Sequence, residues 1–143
     1  MGEVPEPLRR YPTNEGRRDL AARLGLTVDP RAQDWEWQVA DHEAFETLLV
    51  LYRSEQLSDD ERFSLMEMLI QCVEEMIWER RPPSGVEEMP QWQAVNALLR
   101  ANPRLHVSSI AYWSGFGHDN PDVSFRVSAS MRLVWASVES SLA

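Results

Sequence analysis

Ser58-Asp59-Asp60-Glu61-Arg62-Phe63-Ser64-Leu65-Met66-Glu67-Met68-Leu69-Ile70-Gln71-Cys72-Val73-Glu74-Glu75-Met76-Ile77-Trp78-Glu79-Arg80 is the stretch that decides the fold. It opens on a capping box: the Ser58 hydroxyl can accept from the third helical amide while the Glu61 carboxylate reaches back. The acids of the first turn also suit the positive end of the helix dipole. No glycine or proline interrupts the run before Pro82-Pro83-Ser84-Gly85, so the sequence predicts one long helix ending near Arg80.

Wound at about 100° per residue, the helix places Phe63, Leu65, Met66, Leu69, Ile70, Cys72, Val73, Met76 and Ile77 within roughly half of its circumference. That half is expected to centre the core and to contribute on the order of 10 kcal/mol before conformational entropy is set against it. The opposite arc carries Asp60, Glu61, Ser64, Glu67, Gln71, Glu74, Glu75 and Glu79, with Trp78 among them and Met68 at the margin. No arginine on that arc offers a partner three or four positions away, so the acids repel one another mildly. Such an arc is either a solvated face or a stripe that meets a basic protein. In the second case Asp60, Glu67, Gln71, Glu74 and Glu75 form the contact, Trp78 is its apolar anchor, and Glu87 and Glu88 extend it.

Around this helix the chain reads as mainly α. A first helix is expected from an Asn14 cap to Gly25, and a second from an Asp41 cap to about Arg53, with Phe45, Leu48, Leu49 and Tyr52 on one face. Trp35-Glu36-Trp37-Gln38-Val39 fits a short extended segment and a helical turn equally well. A further helix runs from near Pro90 to Asn102-Pro103, and Ser128 caps a last one carrying Met131, Val134, Trp135 and Val138. Leu105 to Trp113 and Val123 to Val127 are rich in Val, Ile, Ser and aromatic residues around a glycine-containing turn, which suggests a small antiparallel β pair. The expected fold is a bundle of about five helices with that pair near the C-terminus. Residues 1–13, with three prolines, form an irregular lead-in, and 14–143 form a single globular domain.

The 143 residues carry 23 acidic and 14 basic side chains, every basic one an arginine, for a formal charge of −9. Nucleic acid is an unsuitable partner for such a chain, because affinity there comes from neutralising phosphates with cations. A basic protein is a suitable one. No apolar run approaches the roughly 20 residues of a membrane span, and no secretory or lipidation signal is read at the N-terminus. The single Cys72 suits a reducing compartment, so the cytoplasm is expected.

Signals for chemistry are sparse. His42, His106 and His118 lack the paired spacing of a zinc-binding helix face. His118-Asp119-Asn120 with Asp122 could supply ligands, but those residues are also what a turn needs. Cys72 falls on the apolar half of its helix, where a thiol acts as a small hydrophobe. Ser114 is not in a nucleophile elbow. No catalytic residue, metal or cofactor is expected. Trp35, Trp37, Trp92, Trp113 and Trp135 are expected in the core, each indole N–H with an acceptor. A ligand pocket of His106, Tyr112, Trp113 and His118 is the alternative place for a small enzyme or binding site.

With Leu57-Ser58-Asp59-Asp60-Glu61-Arg62-Phe63, Leu105-His106 and Tyr112-Trp113, the chain resembles small acidic bacterial proteins of the toxin-immunity type over about residues 35 to 135. The resemblance implies a protein that neutralises a cognate toxin by covering its active site, which is often that of a basic nuclease. A protein-binding module of this kind is therefore the expected function. A small enzyme and a self-associating structural subunit are the alternatives.

Overall fold

The capping box at Ser58 is formed in both directions: Glu61 N donates to Ser58 Oγ, and Ser58 N donates to Glu61 Oε1, each at 3.1 Å. It starts a helix that runs without a break over Asp59–Arg80. The computed structural model describes residues 2–54, 56–116 and 125–142. Its α-helices are α1 (Asn14–Leu24), α2 (Trp35–Val39), α3 (Phe45–Tyr52), α4 (Asp59–Arg80), α5 (Pro90–Ala101), α6 (Pro103–Trp113) and α7 (Ser128–Val138), with short 3-10 turns between and after them. Among the described residues there is no β-strand, and no helix is long and apolar enough to cross a membrane. The chain divides into two compact units, Tyr11–Cys72 on the one hand and the residues up to Arg10 with Val73 onward on the other.

In the Tyr11–Cys72 unit, α1 is capped by Thr13, whose hydroxyl accepts from Gly16 N at 3.0 Å. The cap lies one residue before the expected Asn14, and Gly25 ends the helix in the left-handed conformation at φ 67°. A Cβ on Gly16 would come within 2.8 Å of Asp60 Cβ, so glycine permits the close approach of α1 to the first turn of α4. The ambiguous stretch at Trp35 is helical, and the buried Trp35 indole donates to Thr27 O at 2.9 Å. Asp41 accepts from Glu43 N at 3.0 Å, so it caps a 3-10 turn over His42–Ala44 that leads into α3.

A buried ion pair ties these helices together. Arg17 donates from Nε and Nη2 to the two oxygens of Glu36, and its remaining N–H groups reach the carbonyls of Ala32 and Gln33. Ser64 Oγ of α4 donates to Glu36 as well, at 2.8 Å. A charge taken out of water is tolerated only when it is matched in this way.

In the other unit, α5 and α6 meet at Asn102, and Pro103 takes the first position of α6, where a missing N–H costs nothing. Leu105 to Trp113 is therefore helix, which corrects the expected β pair. Its second half, Val123 to Val127, has Phe125–Val127 in coil and turn, while Val123 and Ser124 lie outside the described residues. The composition suited a strand, but His106, Ser109, Ile110 and Trp113 recur at helical spacing and are all buried. Burial of that face outweighs β propensity. Ser128, expected as the cap of α7, is its first residue, and its hydroxyl accepts from Phe125 N and donates to Trp113 O. The N-terminal lead-in holds a 3-10 turn over Glu6–Leu8, and Arg10 N donates to Ser108 Oγ at 2.9 Å. Trp92 and Trp135 are buried as expected, but neither indole N–H meets an acceptor among the described residues.

Candidate functional site

The carboxylate arc of α4 is not an open stripe. Glu61, Ser64, Glu67 and Glu74 are all buried, at 3, 0, 7 and 7% relative exposure, as is every residue from Phe63 to Ile70. Asp60, Gln71 and Glu75 are half-buried, and each is engaged with a neighbour. The expectation that Glu67 and Glu74 face solvent is thereby corrected. Asp60, Glu67 and Gln71 belong to the Tyr11–Cys72 unit, and Glu74, Glu75, Trp78, Glu87 and Glu88 to the other.

The buried acids serve the fold. Glu61 pairs with Arg23 in addition to its capping role. Burial pushes its carboxyl up, but hydrogen bonds from Arg23 and Ser58 outweigh that and hold it below the ordinary range. Glu74 accepts from the backbone amides of both Arg126 and Val127, at 2.9 Å each. These amides lie just before α7, where a helix start leaves donors unsatisfied.

What does face solvent is the end of α4. Trp78 is 51% exposed, whereas Trp35, Trp92, Trp113 and Trp135 are each at most 4% exposed; Trp37, also expected in the core, is only half-buried. The Arg126 guanidinium carbon sits 3.8 Å from the centre of the Trp78 ring, well within cation–π range. The Glu74 contacts fix the Arg126 backbone, so the carboxylate expected to touch a partner instead positions the arginine that stacks on the tryptophan.

α4 closes at Arg81, whose amide donates to Ile77 O at 3.0 Å and whose φ is 41°. Glycine normally fills such a position, because a Cβ is crowded there. The chain then turns through Gly85, at φ 87°, into the exposed Glu87 and Glu88. Between the helix end and this loop lies a cleft of about 340 Å³ lined by Ile77, Arg81, Pro82, Gly85, Val86 and Arg126. Phe125, next to Arg126, packs on Tyr112 at 5.4 Å and on Trp113 at 4.5 Å between ring centres.

Of the alternative pocket, His106, Tyr112 and Trp113 are described, and the Tyr112 and Trp113 rings meet edge to face at 5.7 Å between centres. His106 is fully buried in α6 and Trp113 is 1% exposed, while Tyr112 is 44% exposed. His118 lies outside the described residues, as do Asp119, Asn120 and Asp122. Of the residues expected at a partner surface, Trp78, Glu87 and Glu88 are exposed. Arg81 and Arg126 were missed. A signal for the first stood in the sequence, since Arg80-Arg81 directly follows Trp78-Glu79 in a chain with few cations. Nothing local pointed to Arg126, which meets Trp78 only through the fold. No protein family, curated protein or solved structure matches the chain.

Proposed function

We propose that the chain is a protein-binding module whose contact surface is centred on Trp78 and Arg126. The observation that supports this is the half-exposed Trp78 ring with a guanidinium stacked on it, in a chain that buries four other tryptophans. Tryptophan and arginine dominate the energetics of protein interfaces because they combine large apolar area with directional donors. Covering the Trp78 ring would also remove the largest piece of apolar surface that α4 leaves in water.

In its narrower form the proposal is an immunity-type role in the cytoplasm, holding a basic toxin. The formal charge of −9 and the exposed Glu87 and Glu88, in the loop after α4, favour a basic partner. Glu67 and Glu74 play no part in that contact, being committed to the interior.

The test is site-specific photo-crosslinking in the native host, with an aromatic photoreactive residue that keeps a large ring at position 78 and, as control, the same residue at the 69% exposed Val50. One defined adduct is expected at position 78 and not at position 50. Trp78→Ala should weaken the identified partner at least tenfold, about 1.4 kcal/mol. Equal adducts at both positions, or unchanged affinity of Trp78→Ala, would remove the proposal.

A further inference from the structure

The cleft beside Trp78 holds two cations in a strongly acidic chain. Arg81 and Arg126 both line it, above an apolar wall of Ile77, Pro82 and Val86. Neither guanidinium pairs with a carboxylate among the described residues, although acids outnumber bases 23 to 14. Stacking on Trp78 uses the face of the Arg126 guanidinium and leaves its in-plane N–H groups for a planar anion. Arg81 occupies a left-handed backbone position that glycine would fill without strain. The strain is thus borne by a residue that lines the cleft.

We infer that this cleft is the docking site for an acidic peptide segment of the partner, with carboxylates held by Arg81 and Arg126 and an apolar side chain set against Ile77 and Val86. The inference rests on the reading of the Trp78 surface as the binding face and specifies what the partner brings to it. A guanidinium meets a carboxylate through two parallel hydrogen bonds, and the apolar wall supplies the area that an ion pair alone lacks. The net charge of the chain opposes the approach of a wholly acidic protein. The segment is therefore a local acidic stretch on a partner that is basic elsewhere, and Glu87 and Glu88 meet the basic remainder.

The test is an NMR titration of the full-length chain with a blocked hexapeptide of alternating aspartate and leucine. Saturable shifts are expected at the amides of Arg81, Gly85, Val86 and Arg126 and at the Trp78 indole. Arg81→Gln and Arg126→Gln should each weaken binding at least fivefold. Arg126→Gln leaves the backbone amide held by Glu74 in place, and an unchanged helical circular dichroism signal in both variants verifies the fold. Absence of saturable shifts, or the same shifts from an asparagine–leucine peptide or from inorganic phosphate, would overturn the inference. If the peptide fails while Trp78→Ala still loses the crosslinked partner, the docking site falls and the binding function stands.

Discussion

Glu74 of α4 accepts a hydrogen bond from the backbone amide of Val127, 53 positions further along the chain, at 2.9 Å. Its second oxygen accepts from the amide of Arg126. One side chain thus supplies acceptors to two amides at the start of α7. Removing it by Glu74→Ala leaves two amides without their acceptor, one of them buried, at a cost of about 1–3 kcal/mol. Urea denaturation should show that loss, and native-state hydrogen exchange should show the Val127 amide exchanging at least tenfold faster than in the parent chain. An unchanged exchange rate would mean that the carboxylate is not the acceptor.

The Arg17–Glu36 pair makes a second, independent prediction within the Tyr11–Cys72 unit. Glu36→Ala strands a guanidinium that is almost wholly buried and should cost about 3–5 kcal/mol. The double variant Arg17→Met with Glu36→Leu should recover part of that loss, because it removes the uncompensated charge while leaving the Ser64 hydroxyl and the Ala32 and Gln33 carbonyls without their partners. Chemical denaturation of the two variants side by side checks this. Equal destabilisation of both would show that the pair's geometry, not its uncompensated charge, governs stability.

Stability should also depend on pH through Glu61. Its carboxyl is held below the ordinary range in the folded chain, so it binds a proton more readily when unfolded. The resulting stabilisation is present in full above the unfolded pKa of about 4.3 and is lost as pH falls through the folded value. Glu61→Gln should thus be less stable than the parent chain at neutral pH, and the gap should narrow below about pH 4. Thermal unfolding of both proteins across that range measures it. A gap that stays constant would contradict the assignment.

How far the sequence discloses this molecule depends on the span of the contacts involved. The start of α4 is legible because Ser58 and Glu61 lie three residues apart and satisfy each other. The end of α1 is legible because Gly25 needs only its own backbone. The acidic arc was misread as open because the partners that bury it are distant in the chain: Ser64 meets Glu36, 28 positions away, and Glu74 meets Arg126, 52 positions away. A helical projection separates polar from apolar residues but cannot say which polar residues have found internal partners. The same blindness placed a strand at Leu105 to Trp113, where packing of one helical face decides the conformation. Trp78 stands out in the sequence as an aromatic among acids and is, with Glu79, an exposed member of that arc. The cation stacked on it, Arg126, is brought there by the fold.

Which carboxylates along and after α4 are open to water decides where a partner can bind, and carboxyl footprinting measures that residue by residue. With a water-soluble carbodiimide and a small amine, Glu87 and Glu88 should be modified quickly in the native chain. Glu61, Glu67 and Glu74 should be modified at least tenfold more slowly, and the difference should vanish in denaturant. Modification of Glu67 and Glu74 in the native chain as fast as that of Glu87 would contradict the account and restore an acidic helix face as the contact surface.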